Sequence, residues 1–353
     1  MTEKNTSRIE TLDWLRGLCA LSIMFYHLIM WKFQSLNSSD FLGRLGVYGV
    51  SIFFILSGLS MAIVYHRNIV SVNKFVAFFL RRFFRIIPLL FIVTTLTILF
   101  RAYKGEDLEF QRYILNITSL FGFFDYKGYI ATGAWSIGNE MVYYALTPFI
   151  FFAYNFSKIL GNIIFSISIL IGLYFSFHLL NEDLLLRNQW KIYINPFNNF
   201  FLFFSGIAMF YNFRDISLKP LYNNLILALS ILLFIFYPVT GDTINIVTDI
   251  NRIVFVLLSF LIVFGFYKLT ITLPKKLAYT LETFGIATYG VYMFHPVVYN
   301  YLMSFAPEFT VRNFYIVFFT VVTSTIVISI LSYYRFELPL SNFGKKLINK
   351  YLK

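Results

Sequence analysis

The sequence predicts an all-α protein, a polytopic transmembrane helix bundle of about ten spans with both termini in the cytoplasm. Composition is the first ground: 58% of the 353 residues are hydrophobic, 13% are charged and the mean hydropathy is +0.71. A soluble chain carries roughly 25% charged residues. The second is aromatic content, since 45 Phe and 25 Tyr exceed what one soluble core can hide. The third is the recurrence of apolar runs near the ~20 residues needed to cross a ~30 Å hydrocarbon layer. A cytosolic globular enzyme, a disordered chain and a fibrous one are thereby excluded.

The predicted spans, in order, are 12–31, 45–65, 86–101, 134–155, 159–180, 196–213, 221–240, 252–268, 279–301 and 314–334. The third and sixth are short or flanked by proline, at Pro88 and Pro196. The stretch 110–124 is apolar but too short to cross, and reads as an interfacial or re-entrant piece. No long gap separates the runs, so 1–353 reads as one membrane domain with no appended soluble domain. Arg16 interrupts the first apolar run and no small-residue cleavage site follows, which argues against a cleavable signal.

Orientation comes from basic residues in alternate gaps. The N-tail, the even gaps and the C-tail hold 18 of the 29 Lys and Arg, including Lys4, Arg8, Arg67, Arg81, Arg82, Arg85, Lys345, Lys346, Lys350 and Lys353. The odd gaps hold 10, mostly beside acidic residues such as Glu106, Asp107 and Glu109. This pattern accounts for the net charge of +12 without nucleic acid as a partner. The lone Cys19 can form neither an internal disulfide nor a cysteine zinc cluster, and no metal site is expected.

Charges and imidazoles at membrane depth are costly and usually face a cavity or a partner. The first span holds Arg16 and His27, the fourth Glu140 and the ninth His295. Arg16 and His27 are eleven residues apart, so they share a helix face about 16 Å apart along the axis. His27, Glu140 and His295 fall at similar depth in one outer layer. Arg16, Arg82 and Arg85 make an inner cationic layer, and guanidinium pairs at that spacing suit phosphate. Each has a plainer reading. The arginines could be cytoplasmic anchors, Glu140 a structural partner of a buried cation, and His27 or His295 an imidazole satisfied by a carbonyl. His66 and His178 read as interfacial, the runs Phe200-Phe201 and Phe203-Phe204 as lipid-facing bulk, and Gly49, Ser57 and Gly58 as close helix packing.

Five blocks in order carry a resemblance. They are Arg16-Gly17 followed by His27; Gly49 to Gly58; Arg81-Arg82-Phe83-Phe84-Arg85-Ile86-Ile87-Pro88; Trp135-Ser136 with Glu140, Tyr144 and Pro148; and Tyr289-Gly290 with His295, then Tyr334, Glu337 and Pro339. Together they resemble the acyltransferase-three family, integral-membrane O-acyltransferases of surface sugars. The resemblance implies an acyl-CoA donor, usually acetyl-CoA, entering from the cytoplasm. It also implies an acceptor hydroxyl on a surface glycan such as O-antigen lipopolysaccharide, capsule or exopolysaccharide, or on a lipid-linked sugar. By the same token Arg16, Arg82 and Arg85 would hold the donor, and the place would be a bacterial plasma membrane. Two departures stand out: many relatives append an extracytoplasmic domain, and the position of Ser51 is often acidic.

On this reading His27 is the general base and Glu140 orients or compensates its imidazole. Trp135, Ser136, Tyr289 and His295 line the acceptor side. Two other classes stay open on the residues alone. A glycan or lipid transporter also uses buried ionisable groups, although no internal repeat is visible. A different membrane acyltransferase class would cast Asn139 and His295 as the working pair.

Overall fold

The computed structural model of the protein describes residues 9–66, 71–107, 109–305 and 314–352. Lys4, Arg8, Arg67 and Lys353, which entered the charge count, lie outside the described residues. The long helices are α1 (Glu10–Phe33), α2 (Phe41–Tyr65) and α3 (Val72–Tyr103). Two short ones follow, α4 (Phe110–Ile117) and α5 (Phe121–Phe124), where the sequence predicts a piece too short to cross. Next come α6 (Ala134–Phe156), α7 (Lys158–Tyr174), the short α8 (Trp190–Tyr193) and α9 (Pro196–Phe213). The rest are α10 (Pro220–Phe236), α11 (Asp249–Lys268), α12 (Lys275–Phe305), α13 (Phe314–Ser332) and α14 (Leu338–Tyr351). Among the described residues there are no strands.

Every segment predicted to span is helical, and six helical stretches are long and apolar enough to cross a membrane by length and composition. They are Glu10–Phe33, Phe41–Tyr65, Asn73–Tyr103, Lys158–Leu179, Asp249–Lys268 and Phe314–Tyr351, with Pro220–Phe236 a shorter apolar helix. Helices α6, α9 and α12 fall outside that set. They carry Asn139 and Glu140, Asn198 and Asn199, and His295, polar groups that lower a helix's hydropathy.

Helices α2 and α9 form the centre of the bundle. They cross closely enough that a Cβ on Gly58 would overlap the Phe203 carbonyl, and one on Gly206 the Ile55 carbonyl. Absent side chains let such backbones meet. The consequence corrects one expectation: Phe203 and Phe204 are fully buried at 0% exposure and Phe201 is buried too, so this run is core rather than lipid-facing surface. The α9 face it occupies packs against α2, α6 and α7.

Backbone polar groups at depth need partners supplied by the protein. The break between α8 and α9 has them. Asn198 and Asn199 donate to the Tyr193 carbonyl at 2.7 and 3.0 Å, Asn139 to Ile194 at 3.1 Å and Tyr143 to Pro196 at 2.7 Å. Arg252, buried over the Phe201 ring, donates to the Asn198 side-chain and backbone oxygens at 2.7 and 2.8 Å. Arg44 closes the end of α10 in the same way. Only 2% exposed, it donates to the carbonyls of Ser38, Phe234, Ile235 and Tyr237 at 2.7–2.8 Å.

A cation at a helix C-terminus is favoured, and four carbonyls stripped of it would be left short of donors. Replacing Arg44 with Ala should therefore cost about 3 kcal/mol, read as a lowered unfolding midpoint in detergent. Arg44→Lys should recover only part, because an ammonium lacks the guanidinium fork.

Candidate active site

Helices α1 and α12 pack side by side, and the pairs His27–His295 and Trp31–Tyr299 share one offset of 268 residues. At the lower level α1 meets α12 at glycines: a Cβ on Gly17 would lie 2.9 Å from the Phe284 carbonyl carbon, and one on Gly285 2.7 Å from the Asp13 carbonyl oxygen. Ten residues further along each helix, His27 Nδ1 lies 2.9 Å from His295 Nε2, the two residues being 268 apart in sequence. One turn beyond, Trp31 meets Tyr299 with ring centroids 4.7 Å apart. Glycine at the lower contact sets the distance between the axes, and the helical repeat carries that closeness up to the imidazoles.

Proton placement follows from the next bond. His295 Nδ1 lies 2.9 Å from the Val291 carbonyl, which can only accept. In the neutral ring Nδ1 then carries the hydrogen and Nε2 is a bare acceptor. It accepts the Nδ1 hydrogen of His27, so the lone pair of His27 rests on Nε2. His295 is 1% exposed while His27 is half-buried. The ring planes are close to parallel: Trp31 and His27 have centroids 5.1 Å apart at 4°, and His27 and His295, joined edge to edge by the hydrogen bond, 5.1 Å apart at 18°.

The inner cluster is assembled from α1, α2, α3 and α6. Arg16 pairs with Asp13 at 2.6 Å and also donates to Ser60 and to the Leu56 carbonyl. Arg82, 9% exposed, lies 5.6 Å from the rings of both Tyr65 and Tyr144, and its Nε has no hydrogen-bond partner. Arg85, one turn on, is exposed in a stretch of α3 whose next two residues are buried. Its charged neighbours are Arg82, Arg16 and Asp13, and it is in turn the charged neighbour of Glu337. The sequence brings Arg16, Arg82 and Arg85 together as expected.

Glu140 is a correction. It was expected to orient the His27 imidazole, but His295 holds that place. Glu140 instead accepts from the Tyr144 hydroxyl at 3.0 Å, Tyr144 lies 3.0 Å from Ser57, and the cations acting on Glu140 are Arg82 and Arg85. The carboxylate thus belongs with the inner arginines, as the plainer reading had it. His295 departs from its expected acceptor-lining role for the same reason: both ring nitrogens are engaged. It bonds a carbonyl one turn back and still orients a second histidine.

Trp135 and Ser136, also expected to line an acceptor, are used in packing. Trp135 is 5% exposed and meets Phe54, Trp190 and Tyr193 edge-on. The Ser136 hydroxyl lies 3.0 Å from both the Gly133 carbonyl and the Tyr292 hydroxyl. Tyr289 donates to the Ile86 carbonyl at 2.9 Å, one residue beyond Arg85, which ties α12 to the arginine helix. Sequence reasoning missed Asp13, Ser60, Trp31 and Tyr299. The last two were detectable, since each stands four residues after a histidine and so on its face of the helix. Among the described residues no three His, Cys, Asp or Glu side chains converge as a metal site.

Tyr144→Phe removes the hydroxyl joining Ser57 to Glu140 and leaves the half-buried carboxylate without that donor. The expected cost is about 1–3 kcal/mol, measured as the shift in unfolding midpoint in detergent, with Trp and Tyr packing otherwise unchanged.

No curated protein and no solved structure gives a significant match to the chain. The family description that does match is that of an acyltransferase domain, over residues 9–334. It takes in both histidines, the three arginines and all the long helices up to α13. The chain is a membrane acyltransferase and belongs to the acyltransferase-three family.

Proposed function

We propose that the protein is an O-acetyltransferase that moves an acetyl group from cytoplasmic acetyl-CoA to a hydroxyl of a surface glycan or its lipid-linked precursor. The surrounding topology we propose is ten spans with both termini cytoplasmic, in a bacterial plasma membrane. The observation that carries the reading is the free lone pair on His27 Nε2, fixed there by the hydrogen bond to His295. A base so held needs no tautomer change before it takes a proton.

Arg16, Arg82 and Arg85 would neutralise the phosphates of coenzyme A on the inner side. Arg82 Nε is a buried donor without a partner, which suits a charge-assisted bond to an arriving anion. Asp13 on Arg16 is the bond a phosphate would have to share or displace. From there an extended pantetheine arm would reach along α1, where Arg16 and His27 are about 16 Å apart in rise. His27 Nε2 takes the proton of the acceptor hydroxyl as its oxygen attacks the thioester carbonyl. The new C–O bond forms, the C–S bond breaks, and the departing thiolate receives the proton from His27. The products are the acetyl ester and free coenzyme A. Through this cycle His295 Nε2 keeps the His27 Nδ1 hydrogen, the part a carboxylate plays in a serine-protease triad.

His27→Ala should lower acetyl transfer in native membranes by roughly 10²–10⁴-fold at unchanged protein level. His295→Gln, which keeps an acceptor, should retain more activity than His295→Leu. Full transfer by His27→Ala would overturn the assignment. Coenzyme A at about 100 times its dissociation constant should stabilise the purified protein by ~2.7 kcal/mol. Arg82→Ala and Arg85→Ala should abolish that stabilisation. Stabilisation unchanged in both variants would place the donor elsewhere.

A further inference from the structure

Among the described residues no carboxylate bonds either imidazole of the histidine pair, and Glu140 is bonded to Tyr144. The positive charge that His27 acquires on taking a proton therefore needs another partner. Trp31 is in the place to be one. Its indole lies within 4° of parallel to the His27 ring at 5.1 Å, and 5.9 Å from His295 at 21°. Tyr299 of α12 lies 4.7 Å from it at 37°, so the indole is held between the two helices with its plane close to parallel to the His27 imidazole. An aromatic face within ~6 Å attracts a cation, tryptophan most strongly, and the attraction grows where water is scarce.

We infer that Trp31 is a positioning residue for the acyl transfer, stabilising the His27 imidazolium by a cation–π contact in place of a counter-carboxylate. The inference rests on the proposed role of His27 as the base and adds the group that meets its charge. Two predicted consequences separate it from simple packing. The effect acts on the transition state, where His27 is gaining the proton, and so falls on kcat rather than on KM for the donor. It also depends on the electron density of the ring and not on its shape.

The test is site-specific incorporation of fluorinated tryptophans at position 31, leaving Trp14, Trp135 and Trp190 natural. Transfer of labelled acetyl from acetyl-CoA to glycan is then followed in native membranes. Fluorine withdraws electron density with little change in size. A progressive fall in kcat, reaching roughly tenfold across the series, at constant KM and constant unfolding midpoint supports the inference. Trp31→Phe should keep activity within about threefold of wild type, and Trp31→Leu should lose about tenfold. A flat fluorine series overturns it, as does a loss confined to KM or to thermal stability. If the natural protein transfers no acetyl from acetyl-CoA, or His27→Ala is fully active, the parent reading fails and takes this one with it. An active natural protein with a flat series defeats the role of Trp31 alone.

Discussion

The side-by-side packing of α1 on α12 is the constraint on which the site depends. Because the pairs His27–His295 and Trp31–Tyr299 share one offset, the close glycine contact below them fixes both pairings. A side chain at Gly17 would push the axes apart, and the 2.9 Å contact between the imidazoles would open with them. Hydrogen bonds are lost over a few tenths of an ångström, whereas apolar contacts fade more gradually. A displacement that the lipid-facing surface would tolerate is therefore enough to free the His27 tautomer.

The same bundle holds its cations in two contrasting ways. Arg44 donates four hydrogen bonds to carbonyls and Arg252 two to the oxygens of Asn198, and both close irregular backbone. Arg82 is sandwiched between Tyr65 and Tyr144 with a nitrogen unused, and Arg85 is exposed. A buried charge with spare donors is costly unless a ligand uses them. Hydrogen bonds to fixed backbone oxygens set Arg44 and Arg252 apart from Arg82, a distinction that burial alone would have missed.

The helices were legible from apolar run length, and the inner arginine cluster from spacing on one helix face. Those features are local and repeat with the period of the helix. The partner of His27 was not legible, because it depends on which helix lies beside α1. Two other ionisable groups at similar depth, Glu140 and His295, were candidates, and depth does not give azimuth. Glu140 was favoured as a carboxylate by analogy with a triad, yet its side of α6, shared with Tyr144 one turn on, faces the arginines of α3. Phe203 and Phe204 misled for a related reason: in a membrane protein an apolar residue is equally at home in lipid and in the core. Only the crossing of α2 over α9 decides between them.

The two halves of the histidine pair lie near opposite ends of the chain. During synthesis α1 enters the bilayer long before α12 is made, and nearly everything between them must be inserted first. Loops that join distant segments close slowly, so this contact is among the later ones to form. An unfinished chain thus carries an imidazole whose hydrogen is free to sit on either nitrogen. That hydrogen is fixed in place only once both helices stand side by side.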